Sequence, residues 1–362
     1  MYYILKYYNY CAKISKLEVI FMVNYHLPQF DMNLYYKTNE KRLLSKKSNG
    51  LGFFIFAYYA SMFAATLFME VLLMLIKPED FMGSSVESVP IYFITIFASV
   101  ISSFIPGLLY FLLSKNRISD VIQTKHVKFS KFIPFVFLGM GVAMVANYAS
   151  DLVANNFSIF GLENKINFSE SCETLGEIIL YVISTAIVPA FAEEFAFRGV
   201  LLGSLRKYGD AFAIIASAVM FGAMHGNIIQ IPFAFILGLI FGFITCKTNS
   251  VFPAIAIHFL NNFYAVIMDV IQTSNIFTDR KFTIIYYIVF IVFCLLGIAS
   301  FLYLIKKDRN FFRISGNDNI QYESSKILTL KDKIQTFFIS PGVILSLSLF
   351  LFTTILSLIS FV

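Results

Sequence analysis

Charge is what this sequence has little of. Only 14% of its 362 residues are Asp, Glu, Lys or Arg, against about a quarter in soluble domains. That scarcity excludes an ordinary water-soluble domain. Tryptophan is absent although Phe and Tyr number 43 and 20, a pattern expected of AT-rich coding bias. Cysteine is sparse, and Cys11, Cys172, Cys246 and Cys294 stand at neither metal-ligand nor redox spacing, which excludes a thiolate metal site or a CxxC redox pair. They read as packing residues. No charged and then apolar leader with a small-residue cleavage site opens the chain, and Met22 and Met32 leave a later natural start open. Internal repeats and matched pairs of interrupted apolar segments are also missing, which argues against a transporter.

What is present is apolar. Hydrophobic residues make up 58% of the chain, the mean hydropathy is +0.75, and several runs exceed the ~20 residues that cross a hydrocarbon core as a helix. Nine spans are expected: Leu51–Ile76, Pro90–Leu113, Phe132–Ala149, Leu175–Leu205, Ala211–His225, Ile228–Cys246, Val251–Gln272, Phe282–Ile305 and Phe337–Val362. If the last is peripheral, eight remain. Lipid leaves no partner for free backbone groups, so the fold class is an all-α polytopic transmembrane helix bundle.

The net charge of +6 is not a nucleic-acid signal, since Lys and Arg in such a chain mark cytoplasmic loops. The basic segments 1–50, 114–131, 206–210, Lys247 and 306–333 alternate onto one side. Arg280 and Lys281 conflict mildly with that pattern. The amino terminus is therefore expected in the cytoplasm. The organisation expected is a basic cytoplasmic amino-terminal segment (1–50), amino-terminal membrane helices (51–174), a core of motif-bearing helices (175–272), and carboxy-terminal membrane helices with a basic cytoplasmic loop (273–362). Gly238 and Gly242 form a GxxxG pair suited to close helix packing.

Against this background Phe191-Ala-Glu-Glu-Phe-Ala-Phe-Arg198 stands out, because ionised groups inside an apolar run are expensive and call for an explanation. Glu194 and Arg198, four residues apart, share a helix face and can neutralise each other, leaving Glu193 free. Pro189 cannot donate to the Thr185 carbonyl and should kink the helix just before the motif. Phe221-Gly-Ala-Met-His225 ends the next span, and Glu193 and His225 are equidistant from Gly209 in the intervening turn. In an antiparallel hairpin they reach the same depth, roughly 20 Å from the turn. Pro253 opens the seventh span, and His258 and Asn262 share a face roughly 10–20 Å in from the Lys247 side. Only two of the four histidines lie in spans, and they are these two; His26 and His126 fall in aqueous segments. Singly, each feature has a structural explanation: a helix-bridging histidine, a buried ion pair, a chance HxxxN. Their convergence in depth favours a functional site. Glu70, Glu177 and Asp269 read as packing or span-boundary groups.

Glu193-Glu194-Phe-Ala-Phe-Arg198, Phe221-Gly-Ala-Met-His225 and His258-Phe-Leu-Asn-Asn262, in that order over about 175–272, resemble the CPBP family. That family comprises CAAX-processing endopeptidases and bacteriocin-processing or self-immunity (Abi) proteins. The resemblance implies an intramembrane endopeptidase, open to the cytoplasm, in a bacterial plasma membrane. Glu193 with His225 would activate a water for attack on a peptide carbonyl, Glu194 and Arg198 would support it, and His258 and Asn262 would stabilise the oxyanion. Alternatively Glu193, His225 and His258 would hold a divalent metal such as zinc; a metal-free glutamate mechanism is equally open. The partners implied are membrane lipids and a peptide or membrane-protein substrate, with no nucleic acid. A non-proteolytic bacteriocin-immunity or membrane scaffold role is the alternative function.

Overall fold

The computed structural model describes residues 32–76, 88–114, 116–159, 172, 174–274, 276–313 and 327–359. Cys11, His26, the acidic loop of Glu79, Asp80 and Glu87, Lys115, Lys165 and Lys326 lie outside the described residues. Among the described residues eleven helices run in order: α1 Met32–Ile76, α2 Ser88–Ser114, α3 Ile118–Val121, α4 Phe129–Ile159, α5 Leu175–Tyr208, α6 Asp210–Met224, α7 Gln230–Thr248, α8 Phe252–Thr273, α9 Asp279–Lys307, α10 Leu330–Phe338 and α11 Pro341–Ile359. Among the described residues no β-strand forms, only an isolated bridge between Thr124 and Ser250. Among the described residues, eight helices (α1, α2, α4, α5, α7, α8, α9 and α11) are long and apolar enough to cross a membrane. The chain is an integral membrane protein with an all-α polytopic bundle.

Each of the nine apolar runs is helical, but the ends differ from expectation for identifiable reasons. The first helix does not start at Leu51; among the described residues it already runs from Met32. Its polar early turns are tied down by Lys37 and Lys41, which lie 3.0 and 2.6 Å from the two Asp332 carboxylate oxygens on α10. Helix α4 continues through Asp151 to Ile159, into what reads as a polar connection. The last run divides: the capping box of Thr329 and Asp332 starts a separate amphipathic helix, α10, and Pro341 opens α11. Helix α6 has 15 residues, about 22 Å at the α-helical rise, too short to cross a ~30 Å core. It stops at His225 because Gly226 (φ +61°) turns the chain there. His225 therefore sits inside the bundle.

Helices α5 to α8 form the centre. Helices α1, α2 and α11 pack on one side, with α1 against both α2 and α11; α4 and α9 pack together on the other, against α7 and α8. Phe54, Tyr58, Phe197, Phe212, Phe221 and Phe337 belong to one apolar cluster; Met140, Phe241, Ile257 and Phe311 belong to the second. The α6–α7 hairpin closes tightly at Gly238, where a Cβ would lie 2.8 Å from the Ala218 Cα. The basic end of the bundle is clamped by Arg206, which bonds Asp210 across Gly209 (Nε–Oδ1 2.7 Å) and Asn249 at the end of α7 (Nη1–Oδ1 2.8 Å).

Candidate active site

The long helix α5 is wound wide in two places, Ile183–Ile187 and Phe195–Leu202, and the pair Glu193–Glu194 lies in the regular turn between them. Wide turns of this type mark positions where a helix is bent to function. The first has a visible cause. Pro189 has no N–H to give the Thr185 carbonyl, and the Asn262 amide of α8 donates to that oxygen instead, at 3.0 Å. Asn262 in turn accepts from Asn261, which accepts from Asn147 of α4 (3.2 and 2.9 Å). A chain of three amides thus ties α4 and α8 to the bend in α5.

Beyond the bend the two glutamates separate in role. Glu194 is fully buried, and its Oε1 accepts from Arg198 Nη1 at 2.8 Å and from His258 Nδ1 at 2.9 Å. The carboxylate beside the guanidinium can only accept, so Nδ1 of His258 carries a proton and, in the neutral ring, Nε2 is the basic nitrogen. Arg198, also fully buried, lays its guanidinium over Phe221 (4.1 Å to the ring centroid) and near Phe241 (5.0 Å). These π faces offset part of the desolvation of a cation whose Nε and Nη2 make no protein hydrogen bond.

Glu193 is less enclosed than Glu194, with its side chain 19% exposed. Its Oε2 lies 4.0 Å from His258 Nε2 and accepts no protein hydrogen bond. His225, half-buried at the end of α6, bonds the Phe221 carbonyl through Nδ1 at 2.8 Å. A carbonyl can only accept, so here too the neutral ring presents a basic Nε2. The Phe221 ring stands between the histidines, its centroid 5.0 Å from His225 and 6.0 Å from His258.

The structure therefore brings Glu193, Glu194, Arg198 and His258 together directly and joins His225 to them across Phe221. Asn262 is on the same face of α8 but is spent on the Thr185 carbonyl. Among the described residues no group of three or more His, Cys, Asp or Glu side chains is arranged to hold a metal ion. Glu193, His225 and His258 form no such group. Sequence reasoning missed Phe241, Asn261 and Asn147. Asn261 carried a signal, an amide beside a motif amide in an apolar helix; Phe241 carried none. Of the remaining intramembrane polar groups, Glu177 completes a capping box with Thr174, and Asp269 accepts from the Tyr181 hydroxyl at 3.1 Å.

A carboxylate without a protein donor beside two ring nitrogens is chemically able to activate a water. Residues 175–264, which hold every one of its motif residues, match the family model described as type II CAAX prenyl endopeptidase Rce1-like. The chain is 27% identical over 124 residues to YdiL of Bacillus subtilis, whose name gives it provisionally as a membrane peptidase; the match covers 33% of this chain and 50% of that one. It is 25% identical over 166 residues to MroQ of Staphylococcus aureus, named a membrane-embedded CAAX protease, over 44% of this chain and 66% of that one. The resemblance read from the three motifs thus holds in sequence comparison. The chain spans between half and two thirds of the length of these relatives, and no solved structure matches it.

Proposed function

We propose that this chain is an intramembrane endopeptidase that hydrolyses a peptide bond of a membrane-associated or lipidated substrate in a bacterial plasma membrane. The observation that carries the reading is the division of labour between adjacent carboxylates. Glu194, fully buried, holds both Arg198 and His258 through Oε1 and leaves Oε2 without a partner, whereas Glu193, its side chain 19% exposed, holds no protein donor at Oε2. A carboxylate in largely apolar surroundings, beside imidazole rings, is suited to take a proton from water.

In this mechanism Glu193 accepts a proton from a water, and the resulting hydroxide forms a bond to the scissile carbonyl carbon. His258, held by Glu194 through Nδ1, and His225, held by the Phe221 carbonyl, meet the developing charge at their Nε2 positions. A histidine that carries a proton on both ring nitrogens donates Nε2–H to the oxyanion and keeps that proton through the cycle, in a site where little water competes. The C–N bond then breaks and the proton taken by Glu193 passes to the leaving amine. Arg198 holds Glu194, and Asn262 acts by fixing the bend of α5.

The basic end of the bundle, with Lys41, Lys47, Arg206 and Lys247, faces the cytoplasm in this reading, by the excess of cations there. Comparative peptidomics of membranes carrying the wild-type protein or Glu193→Ala tests it. Fragments present with the wild type and absent with Glu193→Ala, His225→Ala and His258→Ala, at equal membrane insertion, are expected. Full cleavage by Glu193→Ala would sink the proposal.

A further inference from the structure

Away from the glutamates, a cavity of about 1040 Å³ opens at the basic end between α1, α2 and the end of α5. Its mouth carries Lys46, Lys47 and Lys207, opposed among the described lining residues by Glu40. Lys46 is exposed, whereas Lys47 is half-buried. The ammonium of Lys47 donates to the Tyr110 hydroxyl at 2.8 Å and that oxygen lies 2.7 Å from the Ser204 hydroxyl, so the cation is held in place from α5. Tyr110 and Tyr208 also line the cavity, at the level where aromatic residues sit in membrane proteins.

Below the mouth the walls change character. Phe53, Phe56 and Ala57 of α1 face Pro106, Leu109 and Leu113 of α2. Phe53, Leu109 and Leu113 are 47%, 49% and 81% exposed, so no described residue covers this wall. From Lys46 to Ala57 the groove follows α1 for about 16 Å at the helical rise, close to the ~15 Å depth of one leaflet of a ~30 Å core. Three cations against one carboxylate, directly above an apolar slot one leaflet deep, match the two halves of one kind of molecule.

We infer that this groove is a binding site for an anionic phospholipid, its phosphate between Lys46, Lys47 and Lys207 and an acyl chain along Phe53, Leu109 and Leu113. This goes beyond the peptidase reading and does not depend on it. A zwitterionic lipid would fill the slot but bring no net charge to the basic mouth. A free phosphate would satisfy the cations and leave the slot bare. A peptide with a terminal carboxylate would do the same for the charge, but has no reason to follow a wall of uninterrupted apolar side chains.

The test uses the full-length protein, delipidated in neutral detergent. It is titrated with phosphatidylglycerol, phosphatidylcholine of the same chains, glycerol phosphate, or an apolar peptide with a free carboxylate. Bound ligand is read by native mass spectrometry and the unfolding midpoint by heating. Phosphatidylglycerol is expected to bind roughly tenfold or more tightly than phosphatidylcholine, a preference weakened by salt. Lys46→Gln with Lys207→Gln is expected to remove that preference while leaving the lipid-free unfolding midpoint in place. If that pair does not fold, Lys46→Glu alone, a change at an exposed side chain, is expected to reduce it. Equal binding of the two lipids, or a preference unchanged in the variants, would overturn the inference. So would glycerol phosphate raising the midpoint as much as the lipid does, or the peptide displacing the lipid.

Discussion

At the scale of residues, the site depends on which groups are already satisfied. Asn262 illustrates the point, because its amide replaces the hydrogen bond that Pro189 cannot give to the Thr185 carbonyl. If that is its whole role, Asn262→Ala costs about 1 kcal/mol of stability. Pro189→Ala, which restores an N–H at that position, then recovers much of the loss, and a double-mutant cycle by thermal unfolding reads the coupling. Cleavage lost in Asn262→Ala and still lost in the double variant would instead assign the amide to the oxyanion, as the family resemblance implies. Arg198 makes a second case. Its removal leaves Glu194 with His258 alone in a fully buried pocket, and breaking a buried ion pair costs about 3–5 kcal/mol. Arg198→Met is expected to lose stability on that scale in denaturant unfolding. Arg198→Lys should rescue little, because an ammonium cannot lay a planar face on Phe221 and Phe241.

At the scale of elements, the amphipathic helix α10 is strapped to the early turns of α1 by charge. Asp332 accepts from Lys41 and Lys37, and with the Thr329 hydroxyl these hold its carboxyl well below the usual carboxylate range. A depressed folded pKa means that this contribution is complete above the unfolded value near 4 and is lost as pH falls through the folded one. Amide exchange in residues 330–338 should be slow at pH 7 and rise in strong acid, and Asp332→Asn should show the fast behaviour already at pH 7. Exchange insensitive to both changes would mean that Phe337 and its apolar neighbours hold α10 without help. The existence and order of the helices were legible in the sequence, since runs this apolar have no other stable form in lipid. Their ends were only partly so. The helical early turns of α1 lean on Asp332 of α10, a tertiary partner that no local pattern announces, whereas the break in the last run had local signals in the Thr329–Asp332 capping box and Pro341. The same holds in the site: the i, i+4 pairing of Glu194 with Arg198 follows from helix geometry, whereas the sharing of Glu194 Oε1 by His258 needed α5 and α8 to be placed together.

At the scale of the whole molecule, the matched segment 175–264 contains the motif residues but not everything that holds them. The turn after His225 is crowded from outside that segment. Ser357 of α11 donates to the Gly226 carbonyl at 2.8 Å, and Tyr59 of α1 lies 3.3 Å from the Thr353 hydroxyl. A Cβ on Gly226 would stand 3.0 Å from that same hydroxyl oxygen. Helices α1 and α11 thus form a backstop that sets where the His225 ring can sit, and α1 and α11 are themselves packed backbone to backbone at Gly52 and Gly342. Misplacing a catalytic group by an ångström can reduce a rate by about a hundredfold. Ser357→Ala, made against the exposed control Leu356→Ala, is therefore expected to lower turnover of a peptide substrate by about ten- to a hundredfold with KM little changed. A chain ending at Ser340, which lacks α11 altogether, should insert and yet fail to cleave, although residues 175–264 are intact. Wild-type turnover from either protein would show that the four central helices place His225 without the backstop.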